Sequence, residues 1–288
     1  MASGRLGDIW RLDTDRGSWA VKLLGDSPAE DLIGVLEGAA FQEAALAAGI
    51  PTPAPRRASR GELIYDGGEV RLRLSSWVDL DDPDPNLDPL DVGRLVAGLH
   101  RVDFTGTVGL DAWYTEPVGE PRWSELVTRL RTCHAPFAEE LDELIPELVV
   151  LEGYLGGPPR DLRTCHRDLW ADNVRSTRDG ELCVFDFDNA GLADPSQELA
   201  AVMVEYCGDR SRTKALQAAY EEAGGPGRVQ DPTDFAMAIA QLNHIVVEGC
   251  RRWLVATSDE RRSDNELWVR EFIDHPLTLS VIHTLLEG

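Results

Sequence analysis

The segment His166–Asp188 reads HRDLWADNVRSTRDGELCVFDFD and constrains the chain more tightly than any other. Asn173 follows Asp168 by five residues, and Asp186 follows Asn173 by thirteen. Between them, Arg178-Asp179-Gly180 is a turn signal and Leu182-Cys183-Val184-Phe185 an apolar run, which predicts a strand–turn–strand hairpin. A hairpin returns both ends of the segment to one place. There, the Asp168 carboxylate can orient an attacking hydroxyl, while Asn173 and Asp186 offer a neutral and an anionic oxygen, a set suited to a hard cation such as Mg²⁺ bridging nucleotide phosphates. Asp188 is a further metal ligand or an outer neighbour of one. His166 braces the loop. Singly, each of these is an ordinary turn or surface residue; the spacing is what points to phosphoryl transfer.

A second constraint comes from the basic residues. Of 28 lysines and arginines only two are lysines, Lys22 and Lys214. Lys22 lies in the strand-like run Ser-Trp-Ala-Val-Lys-Leu-Leu. A compact ammonium grips phosphate as a point charge, which the broad guanidinium fork does not replace. The formal net charge of −23 excludes nucleic acid as a partner, since its phosphates need a basic footprint. The same charge favours a cationic small molecule. It gives ATP no help, but the field is screened beyond about 8 Å at physiological salt, so local cations decide nucleotide binding. No apolar run approaches the roughly 18 residues needed to span a membrane. Met1-Ala-Ser-Gly-Arg carries no apolar signal segment, and the five cysteines are scattered without a CxxC pair. A cytoplasmic setting is therefore expected, without disulfides or structural zinc.

Along the chain, strands are expected at Ile9–Asp13, Trp19–Leu24, Leu63–Tyr65 and Val70–Val78, with a helix over 28–48 that Ser27 can cap. Asp79–Asp91 is rich in Asp and Pro and reads as a connector. Beyond it, helices are expected at 90–102, 123–133, 137–155, 195–207, 211–223, 232–257, 265–273 and 276–286, and the only clear strands are those of the His166–Asp188 segment. The fold class is α+β, with a small β-sheet lobe carrying one helix and a larger, mostly helical lobe. The expected division is a nucleotide-binding lobe over 1–78, a linker over 79–92, and a C-terminal lobe over 93–288 holding the catalytic loop and the acceptor site.

Around this frame further site residues are expected. Gly4-Arg-Leu-Gly7 can cover phosphates with its backbone N–H groups, although the strand ahead of it is missing or reduced to Met1–Ser3. Lys22 needs a helix carboxylate to orient it. Glu37 and Glu43 are the candidates, on different helix faces, and Glu43 is favoured. Ser76 to Val78, at the end of the last strand of this half, can offer backbone groups to an adenine edge. The acidic loop with Asp259, Glu260, Asp264 and Glu266, flanked by Trp253, can bind ammonium groups, though a core tryptophan and a solvated loop are the plainer readings.

Assembled, these residues resemble the aminoglycoside phosphotransferase family, the small-molecule branch of the protein-kinase-like fold. The family's HxDxxxxN element matches His166, Asp168 and Asn173, and its strand-end metal aspartate matches Asp186. Gly191–Leu199 resembles its GDPxxDLA segment, with Glu198 where aspartate is usual. Ala40–Pro53 resembles its first-lobe helix and following turn, and Leu99-His100 its Leu-His helix. Gln42 lies near where the lysine-pairing glutamate belongs. The resemblance implies a bilobal kinase-like fold and Mg²⁺-dependent transfer of the γ-phosphoryl group of ATP or GTP to a hydroxyl. Its members act on aminoglycosides, other antibiotics, choline, ethanolamine, homoserine or sugars. The expected acceptor here is a small, cationic molecule such as an aminoglycoside. The alternatives are a metabolic small-molecule kinase and a non-catalytic nucleotide-binding module. A protein kinase is not expected: Asp186 is followed by Phe-Asp-Asn rather than Phe-Gly, and no APE motif follows.

Overall fold

The computed structural model describes the backbone of residues 2–4, 7–24, 29–68 and 70–287, with side chains from 9–24, 32–68 and 70–287. In chain order the strands are β1 (Ala2–Gly4), β2 (Gly7–Thr14), β3 (Gly17–Leu23), β4 (Pro55–Arg56), β5 (Tyr65–Asp66), β6 (Arg71–Ser76), β7 (Arg163–Cys165), β8 (Val174–Ser176), β9 (Leu182–Val184) and β10 (Gly191–Ala193). The helices are α1 (Ala29–Ala47), α2 (Pro89–His100), α3 (Ala112–Thr115), α4 (Glu120–Thr132), α5 (Ala138–Glu152), α6 (Pro195–Val204), α7 (Arg210–Glu222), α8 (Ala236–Val255), α9 (Asp259–Ile273) and α10 (Leu279–Leu286).

The chain forms two compact units. The first gathers Met1–Gly109, Asp161–Pro195 and Lys214–Gly227. Its sheet runs β1-β2-β3-β6-β4, all antiparallel, with β5 also paired to β6. The strand ahead of the glycines, expected to be missing or reduced to Met1–Ser3, is the three-residue β1: Ala2 pairs with Ile9 and Gly4 with Gly7. Arg5 and Leu6 between those glycines, and Ser27, lie outside the described residues. The β3–β6 register sets Lys22 directly opposite Arg73. α2 begins at Pro89 with Asp88 capping Leu90 N–H at 2.9 Å, the arrangement Asp-Pro favours at a helix start. Its inner face buries Val92, Leu95, Val96, Leu99 and His100, and His100 Nδ1 shares a hydrogen bond with Tyr220 Oη at 2.8 Å.

The second unit, Leu110–Arg160, Ser196–Thr213 and Arg228–Gly288, is helical. Its core interleaves Trp123, Leu126 and Leu130 of α4, Leu141 and Leu148 of α5, Val246 and Cys250 of α8, and Val269 of α9. Glu152, at the end of α5, is buried and satisfied: it accepts from Val118 N and Trp123 Nε1, both at 3.1 Å, and from Asn243 Nδ2 at 3.0 Å. Two expectations fail here. Trp253, expected beside a ligand, is 4% exposed and packs edge-on against Phe137 at 5.7 Å, so its area goes to the core. The stretch 259–266, read as a loop, is the start of α9. Ser258 caps it, and Asp259 and Glu260 occupy the first turn, where helix N-termini favour acids. Asp259, Glu260 and Asp264 are exposed, while Glu266 pairs with Arg270 at 3.5 Å. All five cysteines are free thiols. Among the described residues, no helix is long and apolar enough to cross a membrane.

Candidate active site

The segment 163–193 is pinned at three levels, all within the first unit. At its base β7 pairs with β10, setting Cys165 opposite Gly191. Farther out β8 pairs with β9 in the expected hairpin, turning through Gly180 at φ +80°. Between them, Phe185 N–H donates to the Asn173 carbonyl at 3.1 Å, closing the loop that carries Asp168 onto the strand end that carries Asp186. Two non-glycine residues here adopt left-handed backbone, Arg167 at φ +64° and Asp186 at φ +61°. Each costs about 1 kcal/mol or more. The buried Arg167 side chain offsets this by donating from Nε to Asn189 O at 2.6 Å, and it lies where a side chain at position 191 would stand, so Gly191 makes room for it.

Asp168 is held by two amides. Asn173 Nδ2 donates to its Oδ2 at 2.9 Å and to its carbonyl at 2.9 Å, and Asn189 Nδ2 donates to Oδ2 at 3.0 Å. Among the described residues, both amide contacts fall on Oδ2 and leave Oδ1 open. Burial raises the Asp168 carboxyl above its ordinary 3.8. The His166 ring and the two amides oppose this, and the neighbouring Asp186 charge adds to it. His166 Nε2 lies 3.0 Å from Phe185 O, and its ring meets Phe187 edge-on at 4.6 Å, so it braces the loop.

Lys22 reaches the same place from the sheet. Its Nζ lies 2.7 Å from Asp186 Oδ1 and 2.7 Å from Asp188 Oδ2. Burial alone lowers the lysine pKa, but the two carboxylates outweigh it and hold the ammonium above its ordinary value. Burial likewise pushes Asp186 up, and Lys22 with Arg73 reverses the shift. Arg73, 9% exposed and missed by sequence reasoning, sits 2.6 Å from Asp188 Oδ1, as an ion pair without hydrogen-bond alignment. The alternation Arg71-Leu-Arg73-Leu was legible, but only the register reveals that one of these arginines stands beside Lys22. Asn189, the second amide on Asp168, was also missed.

The two candidate helix carboxylates, Glu37 and Glu43, are engaged elsewhere. Glu43, expected to orient Lys22, instead forms an ion pair with Arg57, which donates from Nε at 2.9 Å. Glu37 accepts from Thr107 Oγ1 and N at 2.7 Å and from Val108 N at 2.8 Å; burial raises its pKa, and these bonds, the hydroxyl's foremost, more than reverse the shift. Gln42 is buried and donates to Thr52 Oγ1 and Pro53 O. What α1 brings to the site is shape. A Cβ on Gly38 would stand 2.0 Å from the Phe187 carbonyl oxygen, and Phe41 meets the Phe187 ring edge-on at 5.6 Å. The helix thus presses on the turn 187–189 that follows Asp186.

A hard cation fits the oxygens present. Because Asn173 uses its amide nitrogen on Asp168, its Oδ1 is the open atom, and Asp186 keeps Oδ2 free of partners among the described residues. Asp188, expected as a further ligand, has each oxygen close to a cation. At the strand end, Ser76 engages Ala54 through its N–H and its hydroxyl, whereas Val78 takes part in no backbone hydrogen bond among the described residues. Gly4 and Gly7 face each other as the last pair of the β1–β2 hairpin.

The model of the phosphotransferase enzyme family matches residues 1–235. No curated protein matches the sequence. Among solved structures, spectinomycin phosphotransferase APH(9)-Ia, solved with ADP and spectinomycin, superposes with a TM-score of 0.69 at 12% identity, covering 99% of this chain and 91% of that one. The amicoumacin kinase hAmiN, solved with AMP-PNP, Ca²⁺ and its substrate, gives 0.59 at 15% identity over 99% and 90%. A choline/ethanolamine kinase family protein from Mesorhizobium loti gives 0.53 at 13% identity over 99% and 95%. At such identities the likeness is one of fold: α+β, bilobal and protein-kinase-like.

Proposed function

Since the chain belongs to the phosphotransferase enzyme family, we propose that it transfers the γ-phosphoryl group of ATP or GTP to a hydroxyl of a small, cationic molecule, with Asp168 as the base. The observation that carries this reading is the junction of two sequence-distant groups: the Asp168–Asn173 pair at 2.9 Å and the Lys22–Asp186 pair at 2.7 Å lie in one compact unit. Asp168 Oδ1 accepts the hydroxyl proton as the acceptor oxygen bonds to the γ-phosphorus. The bond from that phosphorus to the bridging oxygen breaks, and the nucleoside diphosphate leaves. Lys22 exchanges its contact with Asp186 for phosphate oxygens. Asn173 Oδ1 and Asp186 Oδ2 are the atoms to hold Mg²⁺, which when bound draws charge from the β- and γ-phosphates. Val78 offers its free backbone groups to the base, with Ser76 fixing the strand end, and the Gly4–Gly7 hairpin end lies over the phosphates.

A cationic acceptor is supported by the net charge of −23, which raises the local concentration of cations. The neighbours solved with spectinomycin and amicoumacin, and the choline/ethanolamine kinase, fit this class. The test is incubation with Mg²⁺–ATP or Mg²⁺–GTP and a panel of aminoglycosides, other amine-bearing antibiotics, choline, ethanolamine, homoserine and neutral sugars. Nucleoside diphosphate and phosphorylated acceptor are followed by mass spectrometry. Turnover is expected with an amine-bearing alcohol. Turnover confined to neutral sugars removes the cationic half of the proposal, and failure to bind either nucleotide with Mg²⁺ removes the whole.

A further inference from the structure

We infer that Lys22 is held for catalysis by Asp188, clamped from its far side by Arg73, and that this triad takes the place of a helix carboxylate. The inference rests on the phosphotransfer reading above and concerns which residues position its lysine. Three observations carry it. Lys22 and Arg73 are direct partners across β3 and β6, so the strand pairing itself sets their side by side placement. Asp188 bridges them, with Oδ2 2.7 Å from Lys22 Nζ and Oδ1 2.6 Å from Arg73 Nη1. Among the α1 acids whose side chains are described, Glu43 is committed to Arg57 and Glu37 to the 107–108 backbone.

The arrangement has a physical logic. Asp186 is the carboxylate that would hold a metal through Oδ2, so it is not a partner dedicated to the lysine. Asp188 can be one, because one oxygen remains bound to a guanidinium that stays charged at all working pH values. The three side chains are 17%, 19% and 10% exposed for Lys22, Asp188 and Arg73, and a desolvated carboxylate between two cations resists leaving either. Asp188 thereby leaves the metal set, and Arg73 becomes a positioning residue that acts on Lys22 through it.

The test compares Asp188→Asn, Arg73→Met, the double variant and Glu43→Gln with the wild-type chain. AMP-PNP binding is measured by calorimetry across a Mg²⁺ series, and phosphate release from ATP gives turnover. Asp188→Asn and Arg73→Met are each expected to lower turnover by roughly 10- to 100-fold. In both, the Mg²⁺ midpoint for AMP-PNP binding is expected to stay within about twofold of wild type. The double variant is expected to be no worse than the poorer single one, since both act through one carboxylate. Glu43→Gln should match wild type. An Asp188→Asn midpoint shifted tenfold or more, with Arg73→Met at the wild-type value, makes Asp188 a metal ligand and overturns the inference. Wild-type turnover in Asp188→Asn, or a loss in Glu43→Gln equal to that in Asp188→Asn, overturns it as well. Wild-type protein that binds no AMP-PNP at any Mg²⁺ concentration strikes the phosphotransfer reading beneath it instead.

Discussion

On the proposed mechanism Asp168 must be ionised when the acceptor hydroxyl arrives, and its surroundings pull on that ionisation from both sides. Burial and Asp186 raise its pKa; His166, Asn189 and Asn173 lower it. The net shift is upward, so the acid limb of kcat/KM is expected above the ordinary carboxylate value of 3.8. The sign of one contribution can be tested alone. Asn189 donates to the ionised form, so Asn189→Ala removes a bond that favours the base, and the acid limb is expected to move to higher pH. A limb that stays in place or moves down removes Asn189 from this role. At this scale much was legible in the sequence: His166, Asp168, Asn173, Asp186 and Lys22 announced themselves by spacing or rarity. Arg73, Asn189 and the commitments of Glu37 and Glu43 were not legible, because each depends on what another strand or loop sets opposite.

At the scale of elements, the site depends on how closely α1 can approach the turn after Asp186. Gly38→Ala puts a methyl group where only 2.0 Å separates it from a backbone carbonyl, which cannot swing aside as a side chain end would. A loss of roughly 1–3 kcal/mol is expected, read as a lower thermal midpoint, together with weaker AMP-PNP binding as the 187–189 turn shifts. A variant as stable as wild type means the helix can retreat freely. On α8, Arg251, helped by Arg252 against the effect of burial, holds Glu248 down to about 2 from an ordinary 4.5. A depressed carboxylate contributes its stability above 4.5 and loses it as the pH falls towards 2. Wild type is therefore expected to lose urea resistance across that window more steeply than Glu248→Gln; equal slopes argue against the pair. The long helices and the β8–β9 hairpin were readable because their periodicity or turn residues are local. β7 and β10, three residues each, are too short to show alternation, and only their mutual pairing defines them. The start of α9 was misread because Asp-Glu-Arg-Arg-Ser-Asp has no apolar stripe; its helical signal is the Ser258 cap and the first-turn acids.

For the whole molecule, charge and site make one statement about the acceptor. With a net charge of −23, capture of a cationic acceptor is expected to slow as salt rises, whereas a neutral acceptor should show little change. On the proposed reading a nucleotide meets the opposite field, and Lys22 on the sheet answers it locally. The bilobal fold was legible from the order of strands and helices, since a small sheet followed by a helical remainder admits few architectures. The division into units was not, because the segments 161–195 and 214–227 return to the sheet-bearing unit through packing that no local pattern records. The account stands on Asp168 acting as the base of a nucleotide-dependent transfer. Its most direct test is to compare wild type and Asp168→Ala for acceptor-dependent turnover of Mg²⁺–ATP and for AMP-PNP affinity. Turnover is expected to fall by roughly 10²- to 10⁴-fold with affinity little changed; turnover that survives the substitution contradicts the account.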